Sequence, residues 1–381
     1  MRRTLFEPDH EDFRQLVRRV IEREVVPHYE QWRAAGIVPR DLFHKLGDVG
    51  VMGFAIPEEY GGGGQDDYRY NVVIQEEAAR AVVTLGGLRT HLDIVLPYFL
   101  AFADEGQRAR WFPGLASGAL YTAIAMSEPG VGSDLAGIGT TAVREGDHYV
   151  VSGAKTFITG GEHADLVVTV ARTGRDPDDR RAGLTLLVVE KGTPGFTVGR
   201  LSKIGLSTQD TVELAFDGVR VPVANRLGAE GAGFKALTHN LAQERLAIAV
   251  GSVAQAVTAH EQTIGYVRER TVFGKQLAHF QNTKLELAAM AAELEAGQAL
   301  LDSAVRAHLD GELTGADAAK TKLFCTELQG RVVDRCLQLH GGYGYVTEYP
   351  IARMYADARV TRIYGGTSEV LKTIISKSLG L

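Results

Sequence analysis

Ile124-Ala125-Met126-Ser127-Glu128-Pro129-Gly130-Val131-Gly132-Ser133-Asp134 sets an apolar lead-in against a Pro-Gly turn and a Gly-Ser-Asp tail. Such residue types permit a tight, left-handed backbone and gather N–H donors and hydroxyls in one place, which suits a polar ring or a phosphate. Taken alone, the run reads as an ordinary loop between a helical and a sheet region. Lys155-Thr156-Phe157-Ile158-Thr159-Gly160-Gly161 follows about one hairpin later. Phe157 and Thr159 stand two residues apart and share one face of an extended chain, so a ring to stack and a hydroxyl to hydrogen-bond face the same way. Alone, a buried hairpin phenylalanine is the plainer reading of that pair.

Outward from these stretches the hydrophobic period changes twice. On the amino-terminal side, Phe13, Leu16, Val17, Val20, Ile21 and Val25 recur at helical spacing between Asp9, an N-cap, and Pro27, a stop. Further helical runs cover 40–49, 70–81 and 88–102, separated by glycine clusters. Within the last of them Asp93 sits in an apolar helix that also carries Pro97, and it is expected to cap or to face solvent. On the carboxyl side, 141–144 and 148–152 flank a Glu145-Gly146-Asp147 turn, and 165–171, 183–190 and 212–216 add short β-rich runs. The polar run 172–181 reads as an exposed loop. Beyond Gly231 the helical period returns at 234–268, 283–309, 316–339 and 368–377, lengths that suit a bundle. The expected architecture is mainly α with a central antiparallel β domain: helices over 1–120, sheet over 121–228, a four-helix bundle over 229–381.

The totals bound the function. With 381 residues, 45% of them hydrophobic, the chain can build two or three cores. Forty-one Lys+Arg against 47 Asp+Glu give a net charge of −6, which argues against nucleic acid or an anionic membrane. Cys325 and Cys336, if on one helix, lie about 16 Å apart, too far for a disulfide, and suggest a reducing, cytoplasmic setting. The acidic residues Glu7, Asp9, Glu11 and Asp12 do not read as a targeting peptide, and no run reaches membrane-span length. No metal site is called for.

Together, the two opening stretches resemble the acyl-CoA dehydrogenase family of flavoproteins, and the resemblance extends over nearly the whole chain. It implies FAD, its ring bracketed by Met126, Ser127, Gly132, Ser133, Phe157 and Thr159, with Thr367 and Glu369 contributing. Arg270-Thr271-Val272-Phe273-Gly274 with Phe280-Gln281 is similar to the segment that reaches FAD across a subunit interface, implying Arg270, Phe273 and Gln281 as contacts. Gln338-Leu339-His340-Gly341-Gly342-Tyr343-Gly344 is similar to the segment at the adenosine half of the neighbour's FAD, implying Gln338 and Gly342. Arginine suits a pyrophosphate, and paired glycines admit close backbone approach. The plainer readings are an exposed arginine and a helix C-cap. A homotetramer, a dimer of dimers, is implied, with an electron-transfer flavoprotein as acceptor.

Dehydrogenating an acyl thioester requires a carboxylate on the substrate face opposite the flavin, to take the α-proton as the β-hydride leaves. In much of the family it lies in Tyr-Glu-Gly-Thr, but this chain reads Tyr364-Gly365-Gly366-Thr367. Asn240-Leu241-Ala242-Gln243-Glu244-Arg245 offers another: at 100° per residue Glu244 shares a small, apolar face with Leu237, Leu241, Ile248 and Gly251 while Arg245 points away. Such a face raises a carboxylate's pKa and strengthens it as a base. A Glu–Arg pair at a domain rim is the plainer reading. The resemblance implies Glu244 as base, since the long-chain and isovaleryl branches match there and carry glycine at the position of Gly365. It further implies that the Gly365 N–H polarises the thioester carbonyl, that Tyr364 and Gly366 border the substrate, and that Ser133 and Arg245 line the pantetheine path. Ala242 replaces an aspartate found in some members, which removes one such contact. Room gained at Gly365-Gly366 and a floor from Leu92, Leu96 and Phe99 lead to the expectation that long or branched acyl-CoA outperforms butyryl-CoA. An acyl-CoA oxidase, a flavin monooxygenase of the same fold and a catalytically silent acyl-CoA-binding subunit remain alternatives.

Overall fold

The computed structural model describes residues 3–381. Helices come first: α1 (Pro8–Val20), α2 (Tyr29–Ala35), α3 (Asp41–Asp48), α4 (Arg69–Arg80), α5 (Leu96–Phe102) and α6 (Glu105–Ala116). The cap of α1 is Glu7 rather than Asp9: its carboxylate takes the His10 N–H while the His10 ring serves the Glu7 N–H. Pro27 does not stop the chain. A π turn (Ile21–Val25) and a 3-10 turn (Val26–His28) carry it on into α2, the irregularity falling where proline removes a helical donor. A second π turn (Thr90–Val95) precedes α5, again just ahead of a proline, Pro97. Helix α6, absent from the periodicity reading, is set by a capping box between Asp104 and Gln107.

The sheet follows: β1 (Thr122–Ala125), β2 (Thr141–Glu145), β3 (His148–Thr159), β4 (Leu166–Arg172), β5 (Leu184–Glu190), β6 (Phe196–Arg200), β7 (Thr211–Pro222) and β8 (Arg226–Leu227). Their order is β6-β7-β3-β2-β4-β5-β8, with β1 beside β4. Pairing is antiparallel except where β1 and β2 meet β4, both in parallel. Strand β4 is buried on both faces: Leu166, Val168 and Val170 join the core under the amino-terminal helices, while Val167 and Ala171 join the core on the sheet's other side. Double burial explains why this run is continuously apolar. Arg172, expected in an exposed loop, instead ends β4 in a buried position and donates to the carbonyls of Ile138, Ala182 and Ala136.

Helices then return: α7 (Gly233–Glu269), a small ribbon of β9 (Thr271–Val272) and β10 (Lys275–Gln276), α8 (Gln281–Leu309), α9 (Gly315–His340), α10 (Pro350–Ala358) and α11 (Ser368–Ser378). Helix α10, also unforeseen, starts on Pro350, whose missing N–H costs nothing in a first turn. Val250 and Val253 of α7 meet Leu301 and Val305 of α8 and Cys325 of α9, and a second cluster joins Met290 and Leu294 to Leu328, Val332 and Cys336. Both cysteines are free and buried on α9. Helix α4 packs along α7 and ties the amino-terminal helices to the bundle.

Candidate active site

Pro97 has no N–H, so the Asp93 carbonyl four residues earlier lacks its helical donor. Gln243 of α7 supplies one, its Nε2 2.9 Å from that oxygen, and Asn240 Nδ2 donates to the Ile94 carbonyl at 2.8 Å. These two amides dock α7 against the break and turn Glu244 toward α5. There Tyr98 Oη donates to Glu244 Oε1 at 2.9 Å, and Asn240 Nδ2 reaches the same oxygen at 3.3 Å. Both bonds fall on Oε1, leaving Oε2 for another proton. Glu244 is 3% exposed. Burial pushes its carboxyl up to about 7, against the downward pull of Tyr98, Asn240 and Arg245. Burial and the neighbouring Glu244 hold the Tyr98 phenol far above its usual range, so it remains a donor. Arg245 turns away, is buried, and has Nη1 3.5 Å from the Gly315 carbonyl; its Nε has no partner among the described residues. A rim ion pair with Glu244 does not exist: both side chains lie inside.

Tyr364-Gly365-Gly366 passes one turn farther along α7. Lys322, fully buried on α9, donates Nζ to the Tyr364 carbonyl at 2.8 Å and the Gly366 carbonyl at 2.7 Å, and burial lowers its pKa to about 8. The Gly365 N–H takes no part in these bonds. Gly365 has φ +62°, and a Cβ there would stand 2.3 Å from Ile248 Cδ1. The volume expected to be free beside Gly365 is thus partly filled by Ile248, one turn from Glu244 on the same face. Thr367 caps α11 by accepting from the Val370 N–H at 3.3 Å, and the exposed Glu369 carboxyl is held low by its own backbone N–H and Thr367.

On the sheet, Lys155 Nζ donates to the Met126 carbonyl at 3.0 Å and to Glu128 Oε1 at 2.9 Å, and the Thr156 N–H donates to the Ser127 carbonyl at 2.9 Å. Glu128 in turn accepts from the Gly139 and Thr140 N–H groups. This fixes the root of the loop. Its glycines are not left-handed as expected: positive φ is found at neither Gly130 nor Gly132, and a Cβ on Gly132 would meet nothing within 4 Å. The left-handed residue is Phe157, φ +60°, at a β-bulge that leaves its ring 70% exposed. A bulky residue held in that region costs on the order of 1–3 kcal/mol, which marks a site built for something other than stability. Thr159 accepts a long 3.5 Å bond from Gln209, and Ser133 is exposed. An exposed ring, a weakly bonded hydroxyl and an open glycine are groups that suit a flavin.

Arg270, Phe273, Gln281, Gln338 and Gly342 gather elsewhere. Arg270 lies 5.5 Å over the Tyr343 ring, the Gln338 carbonyl accepts from Gly341, and Gln281 opens α8. Phe273 is left-handed, φ +49°, and 97% exposed. Among the described residues, no hydrogen bond, ion pair or ring contact joins this group to the Met126–Ser133 loop or to Phe157 and Thr159. The described residues hold no His/Cys/Asp/Glu cluster fit for a metal and no helix long and apolar enough to cross a membrane.

Between α4, the π turn, α7 and Tyr364 lies a cavity of about 240 Å³. Glu244 is not in its wall, but Gly251 and Gln255, seven and eleven residues on, lie within 20° of Glu244's face and about 10 and 16 Å along the axis. Leu92 lines the cavity; Leu96 and Phe99, expected as its floor, instead pack into the amino-terminal core, Phe99 edge-on to Trp111. Asp93, expected to cap or face solvent, is buried in the cavity wall, bonded to Asn71 Nδ2 and, at 2.8 Å, to Gln75 Nε2. Burial raises it to about 7, against the Asn71 bond and Arg89. Tyr98, Asn240, Gln243 and Lys322 escaped the sequence reading. The orphan carbonyl behind Pro97 signalled the amides, and Lys322, set among Ala318, Ala319, Cys325 and Thr326 on one helix face, signalled itself.

Three family descriptions match in succession: the acyl-CoA dehydrogenase N-terminal domain over residues 7–119, the middle domain over 123–219 and the C-terminal domain over 231–380. The long-chain specific mitochondrial acyl-CoA dehydrogenase of Sus scrofa is 42% identical over 378 residues, 99% of this chain and 88% of that protein. The crystal structure of an acyl-CoA dehydrogenase from Geobacillus kaustophilus superposes with a TM-score of 0.97 at 44% identity, covering 99% of each chain. A glutaryl-CoA dehydrogenase from Mycobacterium smegmatis in complex with FADH2 superposes at 0.89 and 29% identity, covering 98% of this chain and 95% of that one. Three successive domain matches over nearly the whole chain, with relatives above 40% identity along its length, place the chain in the acyl-CoA dehydrogenase family, FAD-dependent oxidoreductases acting on CH–CH bonds.

Proposed function

We propose that Glu244 is the base that removes the α-proton of a saturated acyl-CoA, giving the trans-2-enoyl-CoA. The observation that carries this reading is a buried carboxylate with Oε1 held by Tyr98 and Asn240, Oε2 free, one helical turn from Gly365. FAD, when bound, accepts the β-hydride and thereby two electrons. Gly365 offers its N–H to the thioester carbonyl, drawing charge toward oxygen as the Cα–H bond breaks. Lys322 keeps that N–H aimed by gripping the carbonyls on either side. Tyr364 and Gly366 border the acyl group, and Ser133 and Arg245 border the pantetheine arm. Ser127, Gly132, Phe157 and Thr159, with Met126, Thr367 and Glu369, hold the flavin half of FAD. Arg270, Phe273, Gln281, Gln338 and Gly342 serve the FAD of a neighbouring subunit, and their separation from the sheet site within one chain supports a homotetrameric, dimer-of-dimers assembly.

The electrons pass to an electron-transfer flavoprotein, in the cytoplasm, where buried free thiols persist. Folding units meet near residues 120 and 228, between α6 and β1 and between β8 and α7. Glu244→Gln tests the base. The yellow colour and acyl-CoA affinity are expected to persist while anaerobic flavin bleaching slows about 10²- to 10⁴-fold. Bleaching at the parent rate would place the base elsewhere.

A further inference from the structure

Among the described residues, four other than glycine have a left-handed backbone: Val82, Phe157, Leu206 and Phe273. Phe157 and Phe273 belong to the groups read above as flavin contacts. The other two, Val82 at φ +54° and Leu206 at φ +52°, both line the cavity beyond Tyr364 and are half-buried. Val82 follows α4 in a turn closed by its own N–H on the Ala79 carbonyl at 2.9 Å and by the Val83 N–H on the Ala78 carbonyl at 3.0 Å. Glycine is the usual occupant of that place, and a β-branched side chain there is strained. Leu206 is held by its surroundings. Its N–H donates to the Asp357 carboxylate, and Gly205 before it lies so close to α10 that a Cβ would stand 2.7 Å from the Ala356 carbonyl oxygen. Strain of this kind opposes folding, survives only where neighbours enforce it, and gathers at ligand sites.

We infer that Val82 and Leu206 are specificity-determining residues, the apolar contacts for the terminal carbons of a long acyl chain. The inference rests on the acyl-CoA reading above and names the part of the substrate that the distal cavity recognises. The two strained stretches adjoin: the Thr84 and Thr208 hydroxyls are in hydrogen-bond contact, and Thr208 Oγ1 donates to the Thr84 carbonyl at 3.3 Å. Both also meet α10, since Val82 packs against the cluster of Ala256, Ala259 and Met354. Depth decides which chains reach them. Gln75 of α4 meets α7 at Gly251, and Val82, seven residues farther on, packs beside Ala256 and Ala259, so the two helices run in the same direction there. Val82 therefore stands on the order of 20 Å beyond Glu244. At about 1.2 Å per bond of an extended chain, that is the reach of an acyl group of on the order of 16 carbons. Packing on the Ala256–Met354 cluster alone, the competing reason for a valine here, would tie Val82 to stability and not to chain length.

The test uses the purified FAD-loaded enzyme and anaerobic flavin bleaching by hexadecanoyl-CoA and dodecanoyl-CoA. The parent is expected to favour the longer chain in kcat/KM, since each further buried methylene can add up to about fourfold. Val82→Asn and Leu206→Asn keep a left-handed backbone, which asparagine enters readily, and put an amide where the chain ends. Each should lower the hexadecanoyl-to-dodecanoyl ratio about fivefold or more. Val82→Gly, which removes strain and contact together, should move the ratio the same way and covers the case in which the asparagine variants fail to fold. Thermal melts of the same variants separate the two roles of Val82: a lower melting temperature with the parent's ratio is the mark of packing alone and would overturn the assignment. A fall in rate shared equally by both chain lengths would overturn it too, as would a parent that prefers dodecanoyl-CoA; each of these results leaves the dehydrogenase reading standing. Failure of every acyl-CoA to bleach the parent's flavin would sink both readings together.

Discussion

What suits Glu244 to the proposed role of base is its burial. Burial raises its carboxyl to about 7, so the ionised, proton-accepting form grows as pH rises through that value. Flavin reduction should climb along a single ionisation with its midpoint near 7. Tyr98→Phe removes a donor that favours the carboxylate, and the midpoint should move to higher pH; an unmoved midpoint would mean that the titrating group is another. The same ionisation opposes folding. A carboxyl with its ordinary value of 4.5 unfolded and about 7 folded binds more protons folded, so the stability it supports is present below 4.5, is lost as pH rises to 7, and stays lost above. Glu244→Gln, which cannot ionise, should therefore be more stable than the parent at pH 8, by roughly 3 kcal/mol at most, and no more stable at pH 4. Paired thermal melts at the two pH values read this directly.

At the scale of elements, the site is made by two helices that would be unremarkable apart. Helix α7 brings Asn240, Gln243 and Glu244 to the carbonyls freed around Pro97, and α9 brings Lys322 to the glycine turn. Moving the carboxylate to Gly365 is correspondingly hard. Gly365→Glu must adopt a left-handed backbone and displace Ile248 Cδ1, and it should lose about 1–3 kcal/mol of stability. In a Glu244→Gln background, Gly365→Glu alone should restore little bleaching, whereas adding Ile248→Ala should restore more by clearing the steric part. Equal recovery with and without Ile248→Ala would show that the isoleucine yields on its own.

Over the whole molecule, Arg270 and Phe273 stand at one end of the bundle while Phe157 stands on the sheet. Arg270→Ala should release FAD and shrink the assembly together, seen as a lower flavin-to-protein absorbance ratio and a smaller mass by light scattering. An undiminished ratio in a smaller particle would separate the two roles. The order of helices, sheet and helices was legible because the period of apolar residues changes near 120 and again near 230, and the burial of Glu244 was legible from its apolar face, although the residues alone read more plainly as a rim pair with Arg245. What escaped has local physical causes. Prolines at 27 and 97 bend helices instead of ending them, Asp93 is buried because Asn71 and Gln75 reach it from another helix, and the left-handed residue near the Gly-Ser-Asp loop is Phe157, which sequence spacing treats as ordinary strand. Pairings across long separations, such as β1 beside β4, leave no mark in either segment alone. Strand β4, with one core on each face, carries a further consequence for how the sequence can drift. On β3 and β7 buried positions are interspersed with exposed ones that tolerate exchange. From Leu166 to Ala171, and on the neighbouring β5 from Leu184 to Val189, neither phase of the alternation offers a silent site, so random substitution should find narrow tolerance there.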